Sequence, residues 1–523
     1  MGNSAVRKMW IADQGDGTYR NPILYTDYSD PDVIRVGEDY FMVASSFCNA
    51  PSVPLLHSKD MVNWKVINYV IDRLPFERYD TPQHGCGAWA PSIRYHGGVY
   101  YVFVPFPDEG IAVYTADDPR EKWSGPQFVI KNAGWIDPCP FWDDDGKMYM
   151  VNAFAKSRIG FKSALYICPI RDEGDGLTAY TDEGGFVYDG HKTQPTIEGP
   201  KLYKRNGYYY IFAPAGGVST GWQTVLRSKN IMGPYEERII LHQGNTSVNG
   251  PHQGAWVDTP KGEDWFFHFQ NVGSAGRVVH LQPMRWADDW PVIGVNIDEN
   301  GCGEPVMSYV KPDIVAEYPI DAPDDSDFFE DSDLGLQWQW NANYQKSWYE
   351  LGSGCLKLYA IPSDDRCLYD MSNLLLQKWP APEFSATARL HLDELKDGDS
   401  CGMVSLGGCC DSLLICRKDG ENMLCQRTGE VKKNEDINTD LDRFDGDVLY
   451  IRMKVEGARS VSWEISVDGK EYRAVGSSTQ AVAGAWVGVK VGLVAYNEGG
   501  GECGAAKADF FRFEPLSDRK EKS

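Results

Sequence analysis

The chain has 523 residues, with 51 Lys plus Arg against 75 Asp plus Glu and a formal net charge of −24. That balance repels polyanions, so nucleic acid and anionic membrane are excluded as primary partners, while a neutral sugar is indifferent to it. The length exceeds one typical core and asks for two domains.

Aromatic residues make up 13% of the chain, and 53 Gly and 30 Pro break it into many short segments. Helical periodicity is scarce, so an all-β architecture is expected. Residues up to about Tyr19 read as an arm. They lack the apolar core of a signal peptide, and Val6 breaks the myristoylation pattern. The 13 cysteines fall at irregular spacings with no C-x-x-C pair. Buried thiols in a reducing compartment account for them, and a cytoplasmic location is the expectation. No apolar run approaches a membrane span. Composition leaves a homo-oligomer open.

From Asn21 onward one grammar repeats: a marker residue, a short strand, a turn with Gly, Asp or Asn, then a strongly apolar strand. Asp30 precedes Gly37-Glu38-Asp39 and Tyr40-Phe41-Met42-Val43; Trp89 precedes Gly97-Gly98 and Val99-Tyr100-Tyr101-Val102-Phe103. Asp137 precedes Asp144-Asp145-Gly146 and Met148-Tyr149-Met150-Val151. Glu198 precedes Arg205-Asn206-Gly207 and Tyr208-Tyr209-Tyr210-Ile211-Phe212, and His252 precedes Gly262-Glu263-Asp264 and Trp265-Phe266-Phe267-His268-Phe269. A period of roughly 50 to 60 residues with several strands per unit is the mark of a propeller stretched by loop insertions, and five blades fit. The propeller is assigned to residues 1–315.

The acidic, Pro-containing stretch from Lys311 to Asp327 reads as a linker. Beyond it, over 325–523, period-2 segments appear: Cys355 to Tyr359, Ser385 to Leu392, Leu449 to Val455, Val487 to Leu493 and Ala508 to Phe513. These predict a β-sandwich. The charged tail after Asp518 is expected to be mobile.

Equivalent positions of all blades face one central funnel, so Asp30, Asp137, Glu198 and His252 converge in space. Like charges held together raise the pKa of at least one of them. A protonated acid beside an ionised base is what glycoside hydrolysis requires. Asp32, two residues past Asp30, has no counterpart among the markers and reads as structural. Asp143-Asp144-Asp145-Gly146 precedes a strand and reads as a solvated turn, not a metal loop. Phe47 and Trp89 follow marker strands, where they either wall a sugar pocket or pack in the core; Trp222, in T-G-W-Q, is a third such aromatic.

The strings Y-S-D-P-D-V-I-R-V around Asp30, G-W-I-D-P-C-P-F-W-D-D-D-G around Asp137, I-E-G-P around Glu198 and H-Q-G-A-W-V-D-T from His252 together resemble glycoside hydrolase family 43. The second half resembles the concanavalin-like β-sandwich of the family's β-xylosidase-type members. The resemblance implies an inverting mechanism with Asp30 as general base, Glu198 as general acid and Asp137 as the third carboxylate, which orients the acid and raises its pKa. It implies that Arg277 meets the terminal sugar. It also implies a calcium or water-bound ion on the propeller axis, mostly water-coordinated, with His252 as its only protein ligand, although a histidine filling the axis through hydrogen bonds explains that residue equally; no organic cofactor is implied. The sandwich is expected to lay a loop over the funnel, so that removing residues after about 325 abolishes activity. The expected activity is exo-hydrolysis of terminal β-1,4-xylosyl or α-L-arabinofuranosyl residues from xylo-oligosaccharides or arabinose-substituted oligosaccharides. An endo-arabinanase and a non-catalytic carbohydrate-binding propeller are the alternatives.

Overall fold

The computed structural model describes residues 8–314, 318–363, 367–433 and 435–516. The predicted tail after Asp518 lies outside the described residues. Five antiparallel sheets follow one another at 32–71, 92–130, 135–189, 201–241 and 252–293, each running from an inner to an outer strand. Four have four strands, and the third carries a fifth, Gly185–Asp189, against Ala164–Asp172. These are the five blades of the predicted propeller.

The repeated turn signatures have a local cause. Asn206 and Gly207 join Lys201–Arg205 to Tyr208–Ala215 with φ of 51° and 73°, and Gly97 and Gly98 do the same in blade two with 61° and 92°. Such tight turns need positive φ at both central positions, which Asn and Gly supply cheaply. The apolar strand after each turn is then buried on both faces, because its blade packs against two neighbours. Five apolar clusters fill the five gaps between blades: Val43, Val102 and Phe106 between blades one and two, for example, and Phe212, Val225 and Phe266 between blades four and five.

The described part of the predicted N-terminal arm, with the residues that follow it, is tied to the propeller. Thr18–Arg20 pairs with Ser308–Val310, Leu24 bridges Val279 of blade five, and Tyr19 is fully buried with its hydroxyl donating to Leu281 O (2.8 Å). Ile23 and Leu24 join the core between blades five and one, so this arm closes the ring by apolar burial.

The second half is a sandwich of an eight-stranded and a seven-stranded sheet around an apolar core that includes Trp340, Trp379, Trp463 and Phe511, with a smaller apolar cluster that includes Leu376, Leu414 and Tyr496. The predicted strand Val487 to Leu493 begins later, at Lys490, and runs to Asn497. Residues 485–489 instead turn toward the propeller. The stretch predicted as linker is strapped to its surroundings: Asp321 N–H donates to Asn63 Oδ1, and Asp327 bridges Phe511 of the sandwich. Ala50 of blade one and Trp340 of the sandwich exchange backbone hydrogen bonds in both directions.

Candidate active site

Asp30 immediately precedes the innermost strand of blade one, Asp32–Val36, and Asp137 lies within that of blade three, Trp135–Trp142. Both have φ of 54°. A left-handed non-glycine backbone costs free energy and is retained where it aims a side chain. At Asp137 the aiming device is visible, because the ladder slips between Ile136 and Cys139, a bulge that turns the carboxyl into the funnel. Glu198 is followed by Gly199 at φ 56°, where a Cβ would come within 2.7 Å of Gln253. Only glycine fits there, and its N–H donates to Asp137 Oδ2 at 2.8 Å.

The three carboxylates have distinct surroundings. Asp30 accepts hydrogen bonds on Oδ2 from the hydroxyls of Ser29 and Ser45, both at 2.7 Å, and Arg277 Nη1 lies 2.9 Å from its Oδ1. Glu198 Oε1 lies 3.0 Å from His252 Nε2. Asp137 is buried, and its carboxyl is pushed up to about 7, first by burial and next by the charge of Glu198, with Asp30 adding to the effect and the Gly199 N–H and Lys201 opposing it. The like-charge repulsion expected to act on Glu198 thus falls most heavily on Asp137, the more deeply buried of the two: 5% of Asp137 is exposed, against 29% of the Glu198 side chain. Interacting carboxyls titrate as a unit, so the proton released near pH 7 belongs to the pair.

Asp30, Asp137, Glu198, Phe47, Trp89 and Arg277 line one cavity of about 340 Å³, a size that suits one or two sugar rings. Trp222 does not line it. Its indole N–H donates to Gln194 Oε1 at 2.7 Å, and the ring packs with Ile197 and Ala215 of blade four, so the expected sugar contact is corrected to a packing role. Asp32 is fully buried, pairs with Arg94 at 2.7 Å and accepts Ile93 N–H, a structural role as expected. Asp143 opens the turn to Gly146, whose N–H donates to its backbone oxygen, and its carboxyl is hydrogen-bonded by Tyr209 Oη at 2.6 Å.

Among the lining residues that the sequence did not point to, Trp486 comes from the sandwich. Its ring stacks at 22° to Phe47 and stands edge-on to Trp89, with centroids 6.4 and 5.0 Å away. It is 46% exposed and sits at φ 63°. Its loop is fixed to the propeller by Gly488 N–H donating to Asp27 Oδ2 (2.8 Å) and Val489 N–H to Ser274 O (2.7 Å). An aromatic flanked by small residues in A-G-A-W-V-G was the available signal, but no periodicity ties it to the other half of the chain.

A propeller whose funnel gathers three carboxylates and an arginine at the foot of an aromatic-walled pocket defines a glycoside hydrolase. Comparison with known proteins gives the family. Residues 19–291 match the model of glycosyl hydrolases family 43 and residues 326–514 that of the beta xylosidase C-terminal concanavalin A-like domain, so the chain belongs to family 43. A putative beta-xylosidase of Xylanibacter ruminicola is 43% identical over 93% of this chain and 88% of that protein. A non-reducing end alpha-L-arabinofuranosidase of Bacteroides ovatus is 26% identical over 97% of each. The crystal structure of a family 43 protein from Bacillus licheniformis superimposes with a TM-score of 0.81 at 26% identity, covering 95% of this chain and all of that one.

Proposed function

We propose that the protein is an exo-acting, inverting glycosidase that removes terminal β-1,4-xylosyl or α-L-arabinofuranosyl residues from short hemicellulose oligosaccharides. The observation that carries this reading is the pocket itself, where three carboxylates lie beneath an aromatic wall completed by Trp486 of the second domain. A wall built from the sandwich blocks passage of a polymer through the site and favours chain ends. The names of the two relatives, one a xylosidase and one an arabinofuranosidase, support both sugars.

Asp30, held in place by Arg277 and two hydroxyls, takes a proton from the attacking water. Glu198 protonates the leaving oxygen, with His252 fixing its carboxyl. Asp137 shares the proton with Glu198 and keeps it available to about pH 7. Arg277 balances the charge of Asp30 and offers its remaining N–H groups to sugar hydroxyls.

Turnover of p-nitrophenyl β-xyloside and α-L-arabinofuranoside by wild type, Asp30→Ala and Glu198→Ala tests the assignment. Loss of activity on aryl glycosides and xylobiose in Asp30→Ala supports it. Unchanged turnover in Asp30→Ala on any of these substrates, unchanged turnover of xylobiose in Glu198→Ala, or wild-type activity confined to polymer, overturns it.

A further inference from the structure

The first residues of the innermost strands in blades one, two, four and five are Asp32, Ser92, Lys201 and His252, all at most 1% exposed. They ring the central channel below the carboxylates. Lys201, fully buried, donates from Nζ to Ser92 Oγ at 2.8 Å. Blades two and four are not neighbours in a ring of five, so this hydrogen bond crosses the channel. An ammonium is therefore fixed on the axis, and it is close enough to Asp137 to favour that carboxylate's charge.

Axial calcium, which the family resemblance implies, does not fit these residues. Calcium takes six to eight oxygen ligands. Here the histidine expected to hold it is engaged through Nε2 by Glu198, and its Nδ1, buried without a protein partner, offers one nitrogen. A lysine ammonium in the same channel repels a divalent ion and already supplies the positive charge that such an ion would bring.

We propose that Lys201 is the built-in axial cation of this protein, taking the place of a bound metal and holding the Asp137 and Glu198 carboxylates in position from below. Lys201 is a positioning residue; it touches no substrate. The proposal rests on the glycosidase reading only for its kinetic consequence, since metal content and melting are measured without turnover.

The test has two arms. Wild-type protein, after exhaustive dialysis against a chelator, is analysed for bound metal and melted with and without added calcium. Lys201→Met, which keeps the length and apolar stem of the side chain, is assayed for kcat and KM on p-nitrophenyl β-xyloside. The proposal expects substoichiometric metal, a calcium-independent melting temperature, and a kcat in Lys201→Met lower by on the order of 100-fold with KM within about twofold, because the lost interaction acts on the carboxylates and not on bound sugar. Stoichiometric metal, a calcium-dependent melting temperature, or a Lys201→Met variant with wild-type kcat overturns it. Should the variant fail to fold, the wild-type arm still decides whether a metal occupies the axis. Absence of wild-type glycosidase activity would refute the functional reading and leave the metal result standing.

Discussion

Replacing Asp137 by Asn removes the most deeply buried charge of the trio and should stabilise the fold while abolishing turnover. The Asp137 carboxyl is moved from 3.8 to about 7, with burial the larger cause and Glu198 the next. Between those pH values the folded chain keeps a proton that the unfolded chain has released. Unfolding free energy therefore falls as pH rises through this window and levels off above it. At roughly 1.4 kcal/mol per pH unit the full penalty above pH 7 is about 4 kcal/mol, an upper bound because neighbouring groups relax. Asn carries no charge at any pH, and its side-chain oxygen can still accept the Gly199 N–H, 2.8 Å from Asp137 in wild type. Scanning calorimetry across pH 4.5 to 8.5 should find Asp137→Asn melting a few degrees above wild type at the alkaline end, with the gap closing toward the acid end. Its kcat should be lower by on the order of 100- to 1,000-fold. A variant that melts below wild type at pH 8, or a gap that does not change with pH, refutes the account of the buried charge.

Three further outcomes follow from the same geometry. Glu198→Gln should lose on the order of 100-fold or more on xylobiose, whose leaving group needs a proton, and far less on a p-nitrophenyl glycoside, whose leaving group does not; equal losses on both substrates would remove Glu198 from the proton-donor role. Wild-type kcat/KM should fall as pH rises above about 7, where the Asp137–Glu198 pair gives up its shared proton; a rate that stays flat to pH 9 would contradict this. Asp27, 5% exposed, accepts the N–H groups of Arg277 and Gly488, both at 2.8 Å, and so ties the pocket arginine to the loop that carries Trp486. Asp27→Ala should destabilise the protein by about 2 to 4 kcal/mol through two orphaned amides and raise KM, read by denaturant unfolding and initial rates; unchanged values of both would show that the two domains dock without it.

The propeller was legible because each blade writes its own signature: a turn that only Asn, Asp or Gly can make, then a strand buried on both faces, as in Asn206-Gly207 before Tyr208–Ala215. The carboxylates were legible for a related reason, since a rotationally repeated fold converts equal positions in sequence into one place in space. Trp222 and Trp486 show where that logic stops. Trp222 begins a strand, yet its direction depends on the Gln194 acceptor in a loop some thirty residues away, a contact no local pattern encodes. Trp486 reaches the pocket only because two domains dock, through amides such as those of Gly488 and Val489 that carry no side-chain signature. The charge balance was half legible: three acids predicted a raised pKa, but which acid bears it depends on burial, and the bulge at Asp137 decides that.

The central claim is that water activated by Asp30 attacks from the side opposite the Glu198 proton donor. Proton NMR of xylobiose hydrolysis, followed from the first minutes before the sugar mutarotates, tests it most directly. The inverting mechanism proposed above predicts that α-xylose is released first, and that Asp30→Ala releases none at a measurable rate. β-Xylose as the first product, or an active Asp30→Ala, would contradict it.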